Sequence, residues 1–172
     1  MPPSGERQQA EVGKEEERNM SVNALASSFE LSLRILLMLD VLVGCALDEE
    51  QIAALDFIVV YAADFGILDE NLHGYGAYRF SEYPARRKTV SEALKGLVLD
   101  GYVELRPDTG GYDFAITDKG RSLCARFNNG YASEYRIAIV AVSRAVDISD
   151  TREMTESINA HALSSLKGDR HG

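Results

Sequence analysis

Residues 83–117 read YPARRKTVSEALKGLVLDGYVELRPDTGGYDFAIT, and this stretch decides the fold. Pro84 suits the first turn of a helix, where its missing N–H costs nothing. Val90, Ala93, Leu94, Leu97 and Val98 then fall at i, i+3, i+4, i+7 and i+8, one apolar helical face. Asp100-Gly101 stops that helix, with the glycine free to take a left-handed cap. In 102–106 Val103 and Leu105 alternate with polar residues, and Tyr112, Phe114 and Ile116 do so in 112–117. With PDTGG (107–111) as the turn, the two segments form a β-hairpin.

Upstream, Ser27 or Ser28 caps a helix over about 29–44 that is apolar nearly all round, as a central core helix is. Asp48 caps a second helix over 49–63, striped by Ile52, Leu55, Ile58, Val59 and Ala62. Residues 64–83 form a long connection with three Gly and three Tyr, of the kind that carries function or is ordered by its own aromatics. Downstream, Thr117 or Asp118 opens a fourth helix to about 127. Asn128-Asn129-Gly130 interrupts the chain before a helical seam over 131–146, and Asp150 with Glu153 boxes the start of a last helix over 151–166. Residues 1–23 are polar and aperiodic, a disordered tail, and 167–172 fray. The prediction is a mainly α fold with a small β-hairpin: a winged helix-turn-helix domain over 24–127 with a C-terminal helical extension over 128–166.

The 172 residues, 45% hydrophobic and 26% charged, suit one globular unit. A net charge of −9 disfavours indiscriminate coating of nucleic acid. Two cysteines, Cys45 and Cys124, make no disulfide framework; both are read as buried thiols at apolar helical positions. The apolar run 31–47 is interrupted by Arg34 and Asp40, which argues for a core helix and against a membrane span. Without an apolar leader in the first 23 residues, the expected location is cytoplasmic.

The local anomaly is Arg86-Arg87-Lys88 in the first turn of the third helix. Cations there oppose the helix dipole, at a cost of roughly 0.3–1 kcal/mol each when exposed. Two readings stand side by side. Either the turn faces an anionic partner, or Arg86 and Arg87 pair with the acidic segment before them (Asp69, Glu70, Glu82). Residues 86–126 carry a net +2 whereas 24–85 carry −8, so the hairpin half is the only part that is not acidic. The candidate partner- or nucleic-acid-binding residues are therefore Arg86, Arg87, Lys88, Lys95 and Arg106. Asp64-Phe65-Gly66 and Asp108-Thr109-Gly110 match fragments of kinase and aspartic-protease motifs without the elements that accompany them. His73, His161 and His171 have no metal-ligand spacing. No active site, cofactor or metal site is read, and an enzyme is not expected. The helix over 131–146 either completes the core against the first helix or offers a face to another subunit.

SSFELSLRILLMLDVL (27–42), IAALDFIVVYAADFGI (52–67) and YPARRKTVSEALKGLVLDGYVEL (83–105) together resemble the middle component of bacterial ABC-three-component systems. The carrying features are Phe-Glu-Leu-x-Leu-Arg, Leu-Asp-x-x-x-Val-x-x-x-Asp-Phe-Gly and the paired arginines, within about residues 24–150. The resemblance implies a non-enzymatic winged-helix adaptor that binds an SMC- or RecN-like ABC ATPase beside an effector component, in conflict with phages or plasmids. It implies that Arg86 and Arg87 lie on the surface meeting the ATPase or its DNA, with DNA contacted mainly through the complex. The competing reading is an autonomous transcriptional regulator, dimeric through 131–166.

Overall fold

The computed structural model describes residues 4–168. The chain is mainly helical with one antiparallel hairpin. Helix α1 spans Ser4–Val41, α2 Glu49–Val60 and α3 Tyr83–Leu99, the last preceded by a 3₁₀ turn, Arg79–Glu82. Strands β1 (Val103–Asp108) and β2 (Gly111–Ile116) follow, then α4 (Asp118–Cys124), α5 (Gly130–Ala145) and α6 (Thr151–Gly168).

The ends of these elements follow from local chemistry. The Asp48 side chain accepts from the Gln51 N–H while the Gln51 side chain accepts from the Asp48 N–H, a complete capping box at α2. Thr117 caps α4 and Asn129 caps α5 through the same kind of bond, and Asp150 accepts from the Glu153 N–H at the start of α6. Gly101 ends α3 at φ 78°, the left-handed conformation its sequence position predicts. The hairpin pairs Val103 with Ile116, Leu105 with Phe114 and Pro107 with Tyr112, so the apolar residues of both strands share one face. Leu47 exchanges two backbone hydrogen bonds with Phe114, adding a one-residue bridge on the far side of β2.

One apolar core runs through the whole unit. It joins Ile35, Leu36 and Met38 of α1, the α2 face from Ile52 to Val60, Val90 and Leu94 of α3, Tyr135 and Ile139 of α5, and Met154 and Ile158 of α6. The seam over 131–146 thus packs inward, on α1 and α2. Ile137 on its opposite side is 65% exposed. Arg136 reaches from α5 to donate to the Cys124 and Phe127 carbonyls, closing the open end of α4.

Two expectations are corrected. The first helix does not begin near residue 29: residues 4–23, read as a disordered tail, are the opening turns of α1. Gln, Glu, Lys, Arg and Ala dominate that stretch, and they favour helix even where no apolar stripe marks one. Among the side chains described in that stretch, Gln9, Ala10, Glu11, Val12, Lys14 and Glu15 are exposed. Residues 1–3 of the tail and 169–172 of the C-terminal end lie outside the described residues. Cys45 is exposed, because α1 ends at Val41 and Gly44, at φ 93°, turns the chain away before it. Cys124 is buried as expected, and burial pushes its thiol up to about 11. No helix among the described residues is long and apolar enough to cross a membrane.

Candidate functional site

The third helix does not present its first turn as an open cationic surface. Arg86 turns inward, its side chain only 9% exposed, and donates through Nη1 to Asp56 Oδ2 at 2.8 Å. Asp56 sits in the α2 face with 0% exposure. It also takes Arg34 Nε and Nη2 from α1 at 2.9 and 3.1 Å, and the Tyr135 hydroxyl from α5 at 2.8 Å. Four helices thus meet on one carboxylate. Burial alone would raise the Asp56 pKa, but the Arg34 and Arg86 guanidiniums hold it well below the usual carboxylate range. Tyr135 is driven the other way, by burial and by the carboxylate beside it. Glu82 accepts from Arg86 Nη2 at 3.4 Å and from the Tyr61 hydroxyl at 2.9 Å. Burial and that carboxylate push the Tyr61 hydroxyl up to about 12.

This cluster is a tether. Every strong donor around Asp56 is already spent on it, which leaves no free lone pair for proton transfer. It also explains the anomaly at the helix start: the dipole penalty on Arg86 is offset by a buried opposite charge from α2. Arg86 therefore leaves the set of candidate surface residues.

The other four candidates are exposed. Arg87 bonds Glu50 at 2.7 Å with more than half of each side chain in solvent, and Arg106 bonds its strand neighbour Glu104 at 2.9 Å. Lys88 and Lys95 lie on the outer face of α3, in line with Glu92 and with Leu99, which is 86% exposed. Between the start of α2 and α3 a shallow groove of about 410 Å³ is lined by Glu49, Glu50, Pro84, Arg87, Lys88 and Ser91. Exposed ion pairs of this kind are worth about 0–1 kcal/mol, so an incoming anion exchanges for Glu50 at little cost. Asp69 and Glu70 take neither arginine; Glu70 accepts from the Tyr75 hydroxyl instead.

A family model described as ABC-three component (ABC-3C) system Middle Component 2 matches residues 24–168. The chain belongs to that family. No curated protein and no solved structure matches it. The matched part of this Middle Component 2 protein holds Arg34, Asp56, Arg86 and Tyr135 as well as the exposed face of α3. Residues 1–23, which include the opening turns of α1 from Ser4, lie outside it.

Sequence reasoning missed Arg34, Asp56 and Tyr135 as a unit. The signal was present: a lone cation inside the apolar run of α1 and a lone carboxylate inside the stripe of α2 are each too costly to bury unless they meet. Beside Arg34, a cleft of about 280 Å³ is lined by Leu33, Leu37, His73, Phe127 and Tyr131 among others. His73 Nε2 lies 2.7 Å from the Tyr131 hydroxyl. Burial, reinforced by the Arg34 charge, lowers the His73 imidazole from 6.5 to about 4. As pH falls the unfolded chain therefore takes up a proton before the folded one does. The contribution of His73 is full above pH 6.5 and lost between 6.5 and about 4. Thermal melts of the Middle Component 2 protein should show its melting temperature falling across that window, and His73→Gln should flatten the fall. The Asp56 contribution is lost only below 3.8, so the two windows separate.

Proposed function

We propose that this Middle Component 2 protein is a non-enzymatic winged-helix adaptor that binds the SMC- or RecN-like ABC ATPase of its system and helps it engage DNA, in defence against invading elements. The order α1, the Leu47 bridge, α2, α3 and the β1–β2 hairpin supports the winged-helix reading. The observation that carries the proposal is the outer face of α3. Arg87, Lys88 and Lys95 stand exposed on a helix whose opposite face is committed to the core. Such a face favours an anionic partner surface, while a net charge of −9 disfavours tight binding to DNA by the chain alone. An adaptor borrows that affinity from its ATPase. The effector component is a partner of the assembled complex.

The triple reversal Arg87→Glu/Lys88→Glu/Lys95→Glu is expected to abolish co-purification with the ATPase, or DNA binding by the complex. Its melting temperature should stay within about 6 °C of wild type, because each surface substitution changes stability by about 0.5 kcal/mol or less and each kcal/mol moves the melting temperature by about 2–4 °C. Retention of both activities would refute the proposal. In gel shifts at about 150 mM salt, where charge is screened beyond about 8 Å, the isolated chain should show no submicromolar affinity for random DNA. Submicromolar affinity there would favour the autonomous regulator.

A further inference from the structure

The connection between α2 and α3 is a platform pinned by its own hydrogen bonds. Asn71, 9% exposed, is its hub. Its Oδ1 accepts from the Ala63 and Asp64 N–H groups, and its Nδ2 donates to Asp64 Oδ2 and the Gly74 carbonyl. Arg79 grips the same Asp64 with two bonds of 2.7 and 2.9 Å and donates to the Gly76 carbonyl. The Tyr75 hydroxyl donates to Glu70 and accepts from the Asn71 N–H, and the Tyr78 carbonyl is held by the Ser81 N–H and hydroxyl. Gly74, at φ 77°, makes the turn that these bonds require.

These staples hold up four consecutive exposed residues, 75–78, with Tyr75 54% and Tyr78 80% exposed. A tyrosine on a preordered loop loses little entropy on binding and brings a large apolar area with a polar tip. The one arginine of the segment is consumed by Asp64, whereas Asp69, Glu70 and Glu82 of the same segment are exposed, Glu70 bonded to the Tyr75 hydroxyl. That sign repels nucleic acid and selects a cationic protein surface.

We infer that the 69–82 loop, which also exposes Asp69 and Glu70, is a second docking surface on which Tyr78 inserts into an apolar pocket rimmed by Lys or Arg on another protein component of the same system. This rests on family membership and not on the role proposed for α3. The test is calorimetric titration of the full chain against each of the other two components, purified separately, at about 50 and 300 mM salt. Tyr78→Ala should weaken binding to one component at least tenfold and leave the melting temperature unchanged, while Tyr78→Phe, which keeps the ring, should stay within threefold. Asp69→Lys/Glu70→Gln should weaken the same binding and flatten its salt dependence. The α3 triple reversal should leave this interaction within twofold, so that either surface can fail without the other. Wild-type affinity of Tyr78→Ala and Asp69→Lys/Glu70→Gln for both components would overturn the inference. So would the absence of binding to either component, or a loss of DNA binding in place of protein binding.

Discussion

Asp56→Ala is expected to destabilise the fold by about 3–5 kcal/mol, the usual consequence of removing one partner from a buried ionic cluster. For a chain of this size that is a fall of roughly 6–20 °C in melting temperature. The reason is the residue's connectivity rather than its own volume. Asp56 is the acceptor for Arg34 from α1, Arg86 from α3 and Tyr135 from α5, at 2.8–3.1 Å. Without it, the nearly buried Arg34 loses its counter-charge and Arg86 keeps only the longer contact with Glu82. Asp56→Asn should recover only a part, because the amide keeps one acceptor and supplies no charge. Replacing all three charged members together (Asp56→Leu, Arg34→Met, Arg86→Met) should be far milder than Asp56→Ala, since a well-packed apolar substitute removes the desolvation penalty along with the attraction. Urea melts of the three variants check the order. A loss below 1 kcal/mol for Asp56→Ala would show that water or neighbouring groups already screen the arginines. The contrast is Arg87→Ala, whose exposed pair with Glu50 should move stability by less than 1 kcal/mol.

Those two adjacent arginines show where the sequence is legible and where it stops. Signals carried within a few residues read correctly: Pro84 at the start of α3, Gly101 at its end, the caps at Asp48, Thr117 and Asp150, and the alternation in 102–106 and 112–117. Each depends on backbone groups that must be satisfied locally, so the residue next door suffices to infer it. Arg86 and Arg87 look alike by that standard. What separates them is a carboxylate 30 positions upstream of the first and another 37 upstream of the second, one buried in α2 and one at its exposed start. Pairing across that distance is set by how α2 and α3 pack, which no local pattern encodes. The Leu47 bridge is invisible for a related reason: a single residue beside β2 has no period. The 64–83 connection was legible only in part: its aromatics do help to order it, through Phe65 on Phe80 and the Tyr75 hydroxyl, but the bonds of Asn71 and Arg79 follow no apolar rhythm. The early start of α1 is the opposite case, where propensity spoke for helix and the missing stripe argued against it.

Gly120→Ala should be nearly as damaging, at about 3 kcal/mol, for a purely steric reason. Gly120 lies in the first turn of α4, whose cap is Thr117. A Cβ there would stand 2.3 Å from the Tyr102 carbonyl oxygen and 2.7 Å from Ile116 Cγ1. Neither neighbour is free to retreat. The Tyr102 carbonyl accepts from the Thr117 N–H at 3.1 Å, and Ile116 is paired with Val103 at the base of the hairpin. The added methyl must therefore push α4 off the hairpin, taking with it buried Cys124 and the carbonyls that Arg136 closes. Gly96→Ala is the matched control. It lies in the interior of α3, exposed, with nothing within 4 Å of the site of its Cβ. There the same substitution should stabilise the protein by up to about 1 kcal/mol, because alanine loses less backbone freedom in a helix than glycine does. Thermal melts should move in opposite directions for the two variants, and hydrogen exchange in Gly120→Ala should quicken at α4 and the hairpin base before it does at α2. If both glycines respond alike, the close approach of α4 to Tyr102 is not present in solution, and the hairpin is free to move relative to the helical core.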